Sequence, residues 1–183
     1  SVVNHSAPVD DNLSQAPAPL FTPRDDNGKW RVTEDTPGNY VYEQAAVKDN
    51  LDHIATLDNE TIENGVITGK FKLQYDSDAR ATFYFRMDEN GNGYAAQVKR
   101  YYNDAYLYLY LVTENKLSTL ISDDVQFSNF FTGSDERHNI KIDLQGNLIQ
   151  VYLDNQTRGI YQRHSLYRSG SIAIGTYGLD RPA

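Results

Sequence analysis

The chain has 183 residues, no cysteine, and 25 Asp and Glu against 17 Lys and Arg, a formal charge of −8. That length suits one domain with its own two-layer core, while the lack of thiols excludes disulfides, thiolate metal sites and cysteine nucleophiles and says little about compartment. Residues 1–66 carry 12 acidic and 4 basic side chains against 13 and 13 in the rest, so the Lys/Arg footprint that nucleic acid or an anionic membrane demands is missing, and no apolar run approaches the roughly 18 residues of a membrane span.

Residues 1–23 are rich in Ala, Pro, Asp, Asn and Ser and include A-P-A-P, which reads as an extended N-terminal arm or linker ahead of a folded module at 24–183. No basic-then-apolar leader opens the chain, as expected of a mature or trimmed form. From Trp30 onward short alternating segments follow one another, none holding a 3.6-residue period. Strands are predicted at 29–33, 40–44, 53–57, 66–74, 81–87, 93–101, 105–112, 117–122, 138–144, 148–154 and 170–176. Eleven short strands at this spacing, with polar turns between them, give an all-β antiparallel β-sandwich.

Alternation assigns the inward faces: Ile67, Phe71 and Leu73; Phe83, Phe85 and Met87; Ile140, Ile142 and Leu144; Ile149, Val151 and Leu153; Ile172 and Ile174. Hairpin turns are expected at 88–92 and 145–147, where Gly and Asn tolerate positive φ. The stretch 123–136 reads as a long loop, with room for a short helix, that tucks Phe127, Phe130 and Phe131 under a sheet edge. Trp30 reads as a lid on the core.

Residues 105–112 read A-Y-L-Y-L-Y-L-V. Strict alternation puts Leu107, Leu109 and Leu111 on one face and Tyr106, Tyr108 and Tyr110 on the other. Tyrosine is a good strand former, but three phenol rings in register on an outer face also form an apolar strip that a sugar would cover. Sugar recognition needs planar, multivalent hydrogen-bonding groups beside such a strip. On the tyrosine side, Tyr84, Arg86, Tyr94 and Lys99, with Arg100 as the alternative to Lys99, are the candidates.

The succession K-W-R-V, F-Y-F-R-M-D-E-N-G-N-G-Y-A-A-Q-V, H-N-I-K-I-D-L, I-Q-V-Y-L-D-N and Y-R-S-G-S-I-A-I-G-T-Y resembles the concanavalin A-like jelly-roll modules of the laminin-G type. It is most similar to the fructan-binding modules of bacterial levanases, over roughly residues 29–183. The resemblance implies a jelly roll, a polysaccharide or oligosaccharide ligand such as β-fructan, and a terminal-sugar pocket. By region this pocket matches residues 43–52 and 86–94, which adds Glu43 to the candidates. It also implies a last strand beyond Gly178 and Leu179, where this sequence ends within a few residues. The expectation is that the N-terminal arm fills that place or the boundary is trimmed, with a neighbouring chain supplying the strand as the alternative.

Catalysis finds little support. A glycosidase needs two carboxylates roughly 5–9.5 Å apart, and the E-x-D-x-x-E string of jelly-roll glucanases is absent. Glu60 and Glu63 read as solvated charges in a turn-like segment, and His53, His138 and His164 fall in unrelated segments, with no Q-I-H string of a jelly-roll lyase. Asp88 and Asn90 imitate the start of a calcium loop, but Lys99 stands where its bidentate Glu belongs. No cofactor is expected, with a structural calcium at Asp88, Asn90 or Asp180 as the alternative. The sequons at Asn4, Asn12, Asn59 and Asn155 carry no meaning in a bacterial chain. The expected function is a non-catalytic carbohydrate-binding module of a secreted or cell-surface bacterial protein, working beside a parent catalytic domain. The alternatives are a jelly-roll glycoside hydrolase or lyase, and an adhesion or protein-assembly module.

Overall fold

Period-two alternation becomes fourteen strands and, among the described residues, no helix in the computed structural model, which describes residues 21–24, 30–37, 39–44, 52–73, 78–133 and 136–177. In chain order they are β1 (Phe21–Pro23), β2 (Trp30–Thr36), β3 (Asn39–Gln44), β4 (Asp52–Ile62), β5 (Gly65–Lys72), β6 (Arg80–Met87), β7 (Gly93–Tyr101), β8 (Asp104–Thr113), β9 (Lys116–Leu120), β10 (Val125–Phe127), β11 (Arg137–Gln145), β12 (Leu148–Leu153), β13 (Gly159–Arg163) and β14 (Gly170–Tyr177). The large sheet runs β1-β4-β14-β6-β7-β8-β10, with β9 also paired to β8; the small sheet runs β13-β12-β11-β5; β2 and β3 form a separate ribbon. Every pairing is antiparallel.

All eleven expected strands are present, with shifted ends. β4 extends through Glu60, which the sequence had suggested was turn-like. The additions are β1, β10 and β13, each five residues or fewer. β1 belongs to the segment expected to be an arm, yet it pairs with β4 from Phe21↔Leu57 to Pro23↔Ala55 and so forms an edge of the large sheet. Residues 1–20 and 178–183, with Asp180, lie outside the described residues. The region after Ser122 holds β10 rather than a helix, and its rings tuck in as expected: Phe127 and Phe131 are buried and Phe130 packs beside them.

The core between the sheets is built from the anticipated alternation, with Ile67, Phe71, Phe83, Phe85, Leu107, Leu109, Ile140, Ile142, Val151 and Ile172 among its buried members. Burying each large apolar side chain there contributes roughly 1.5–3 kcal/mol before entropy is counted. Met87 is a correction. It joins Ile54, Tyr84, Ala95, Val112 and Ala173 in a second buried cluster on the opposite face of the large sheet. The cause is Arg86, whose φ of 51° interrupts the pleat and turns the next side chain over. The two expected hairpins form, the second closing on Gly146 at φ 59°, a value glycine adopts at no steric cost.

A candidate carbohydrate platform on the outer face of the large sheet

The β7–β8 hairpin fixes what stands beside the tyrosine row. Its short turn pairs Lys99 with Tyr106, Gln97 with Tyr108 and Ala95 with Tyr110, and β6 continues those ranks with Arg80, Thr82 and Tyr84. Directly paired residues project to the same side, so three ranks cross the outer face. They differ in character from one end to the other.

The rank of Tyr110, Ala95 and Tyr84 is apolar and covered: Tyr84 and Ala95 have no exposed surface, and Tyr110 packs against them half-buried. The Tyr84 ring lies over Gly175, where a Cβ atom would stand 2.7 Å from its Cε2. Arg24, just past β1, spans this part of the sheet; its Nε donates to Thr56 Oγ1 at 2.5 Å and its Nη1 to Asn115 Oδ1 at 2.6 Å. Burial lowers its pKa. In the middle rank Gln97 and Thr82 are buried and bonded to each other, Nε2 to Oγ1, at 3.0 Å.

The third rank is polar and half-exposed. Lys99 and Arg80 face each other directly, a repulsive pairing, and Asp78 bridges them and offsets one of the two positive charges. Its carboxylate accepts from Arg80 Nε at 2.9 Å and Nη2 at 2.8 Å and lies 2.9 Å from Lys99 Nζ. Burial opposes ionisation of Asp78, but the bonds and charges of Arg80 and Lys99 outweigh it and hold the carboxyl below its ordinary range. The Arg80 guanidinium also stands 4.5 Å over the ring of Tyr177.

Along β8 the rings share a tilt: Tyr106 and Tyr108 are 6.4 Å apart at 13° between planes, Tyr108 and Tyr110 5.9 Å apart at 38°. All three are half-buried. The Tyr108 phenol is pushed up, first by burial and then by the charges of Asp124 and its tyrosine neighbours. The chemistry on offer is an apolar strip edged with hydroxyls, beside a fixed ammonium, guanidinium and carboxylate. Such a surface matches the mixed apolar and hydroxyl faces of a sugar.

Three expected members of this surface are not available on it. Tyr94 pairs with Leu111 and therefore faces the core. It stacks on Phe85 at 5.7 Å, and its hydroxyl meets His164 Nδ1 at 2.9 Å and accepts from the Tyr167 amide at 3.0 Å. Tyr84 has the right face but no accessible surface. Arg86 is 1% exposed, and its guanidinium is taken up by backbone carbonyls: Glu63 O at 3.1 and 2.5 Å, Gly146 O at 2.8 Å and Tyr167 O at 3.3 Å. It closes the floor of a cavity of about 210 Å³ bordered by Glu63, Asn147, Tyr167 and Arg168. Arg100 points inward too, donating to the carbonyls of Leu73, Tyr102 and Gly133. The Glu43 side chain lies outside the described residues.

Asp88 is engaged in turn chemistry. Its Oδ1 accepts from the amides of Asn90 and Asn92 at 2.9 and 2.8 Å and its Oδ2 from Asn92 Nδ2 at 3.1 Å. Those bonds, the Asn92 amide foremost, lower its pKa. Among the described residues no three His, Cys, Asp or Glu side chains group as metal ligands. Sequence reading missed Arg80, Asp78 and Tyr177 on the outer face. The β6–β7 register, set by the 88–92 turn, was the available signal for Arg80.

No protein-family model matches the chain, and no curated protein does. Solved structures do. The carbohydrate-binding module CBM66 from Bacillus subtilis superposes with a TM-score of 0.65 over 89% of each chain at 16% identity. A Bacillus licheniformis β-glucanase gives 0.59 over 90% of this chain and 82% of that one at 11% identity. A Bacillus subtilis protein of unknown function with a galectin-like fold gives 0.56 over 88% and 84% at 10% identity. Likeness at these identities defines architecture: the chain has the concanavalin A-like jelly-roll β-sandwich fold.

Proposed function

We propose that this chain is a non-catalytic carbohydrate-binding module whose platform is the outer face of the large sheet at Tyr106, Tyr108 and Lys99. The observation that carries the reading is the half-exposed tyrosine row flanked by Lys99 and Arg80, which Asp78 bridges. The structural likeness to a carbohydrate-binding module supports it. β-Fructan is the first ligand to test, on the sequence resemblance to levanase modules, and the proposed setting is a secreted or surface-anchored carbohydrate-active protein. Binding is weak per site, because open hydrogen bonds and a few rings must offset the lost freedom of the ligand.

Affinity electrophoresis through gels containing levan, inulin, xylan or β-glucan tests this, with and without chelator. The wild-type chain is expected to be retarded by at least one polysaccharide, and Tyr106→Ala and Tyr108→Ala each to weaken that binding about tenfold. Wild-type migration unchanged in all four gels overturns the reading. The likeness to a β-glucanase keeps a glycoside hydrolase as the second reading; release of reducing sugar from a gel-retarding polysaccharide would establish it.

A further inference from the structure

β10 lies beside β8 at the strand spacing of about 4.8 Å and pairs Gln126 directly with Tyr106. Past Gln126 opens a cavity of about 370 Å³, walled on one side by Gln126, Asn129 and Phe130 and on the other by the β12–β13 turn with Asp154, Gln156 and Arg158. That volume falls in the range of small-ligand sites. We propose that this cavity is a second saccharide subsite, continuous with the tyrosine row, that receives the sugar residue beyond Tyr106. The inference rests on the carbohydrate-binding reading and adds to it a direction and an end point for the bound chain.

Two properties support it. The first is unspent hydrogen-bonding capacity. Most charged groups of the outer face are paired, whereas the side chains of Asn129, Gln156 and Arg158 make no hydrogen bond among the described residues. Gln126 spends one amide proton on Asp104 Oδ2 at 3.1 Å, leaving its carbonyl oxygen available. Planar amides and a guanidinium converging on one hollow suit adjacent hydroxyl groups, each of which donates and accepts.

The second is a prepared wall. Asp154 is fixed by the Asn139 amide on Oδ1 at 2.7 Å and by His138 Nδ1 on Oδ2 at 2.8 Å. His138 in turn lies 4.4 Å from the Phe130 ring at 35° between planes. The backbone N–H of Asn129 donates to Asp104 Oδ1 at 2.9 Å. The Phe130 ring and the Asp154 carboxylate are therefore set before a ligand arrives, which removes part of the ordering cost of binding.

Calorimetric titration with graded oligosaccharides of levan, inulin, xylan and β-glucan tests the subsite. For the wild type, affinity should rise with chain length until both row and cavity are filled. The Gln156→Ala/Arg158→Ala variant changes exposed turn residues only. It is expected to bind short oligosaccharides as the wild type does and the longest about tenfold more weakly. Tyr108→Ala should weaken every length. If the double variant matches the wild type at all lengths while Tyr108→Ala does not, the cavity is overturned and the platform stands. If the wild type binds none of the oligosaccharides, both fall.

Discussion

Asp78 shows how a single carboxylate makes the outer face usable. Without it, Lys99 and Arg80 would confront each other across adjacent strands; with it, all three hold fixed positions. Its folded-state pKa is lowered, so the stability it contributes is present above the ordinary carboxylate range and is lost as pH falls through that range. Asp78→Asn should cost no more than about 1 kcal/mol in urea unfolding at neutral pH, since the side chains concerned are about one-third exposed and screened, and the difference should shrink in acid. A cost that grows toward low pH would contradict this assignment. Tyr108 acts in the opposite sense: its phenol is raised, so the associated stability is complete below the ordinary tyrosine pKa and is lost as pH climbs above it. Burial raises the Tyr94 phenol as well, so ultraviolet titration should show late phenolate components from both rings, and Tyr108→Phe should remove one of them.

At the level of strands, Arg86 explains both what the sequence disclosed and what it concealed. Alternation read correctly through Phe83 and Phe85 and failed at Met87, because a positive φ at an arginine has no Gly or Asn signature to announce it. Tyr94 was legible in principle, since the β7–β8 turn fixes its pairing with Leu111, but a sequence alternation alone does not state which parity faces inward. The tyrosine row on β8 needed no tertiary information. The covering of Tyr84 did, and so did the cavity beside β10, whose walls come from segments distant in sequence. Arg86 itself binds the turns at Glu63 and Gly146 and the strand connection at Tyr167 into one end of the sandwich. Arg86→Ala strands buried carbonyls and should destabilise the fold by roughly 3 kcal/mol in urea unfolding. Arg86→Lys should recover little, since an ammonium cannot reproduce the planar fork. Rescue by lysine would show that charge, rather than the fork, holds these turns.

For the molecule as a whole, the distribution of charge separates two kinds of ligand. The excess of acid lies in residues 1–66, while the remainder is balanced at 13 and 13, and of the two cations nearest the tyrosine row, Lys99 and Arg80, one charge is offset by the Asp78 they share. A neutral polysaccharide stacked on Tyr106 and Tyr108 would displace few counterions, because apolar contact and hydrogen bonds to uncharged hydroxyls carry the affinity. A polyanion would release counterions from itself on binding, and the logarithm of its affinity would fall steeply and linearly with the logarithm of salt concentration. Affinity for the retarding polysaccharide is therefore expected to change by less than about twofold between 20 mM and 500 mM NaCl, a range over which the Debye length shrinks from roughly 20 Å to 4 Å. A steep loss over that range, with binding to a sulfated or uronic polymer in place of a neutral one, would move recognition from the phenol rings to the Lys99 and Arg80 cations. Comparing Tyr108→Ala with Lys99→Ala at the two salt concentrations separates these outcomes: ring loss should weaken binding equally at both, whereas a charge-driven contact would show its deficit in low salt.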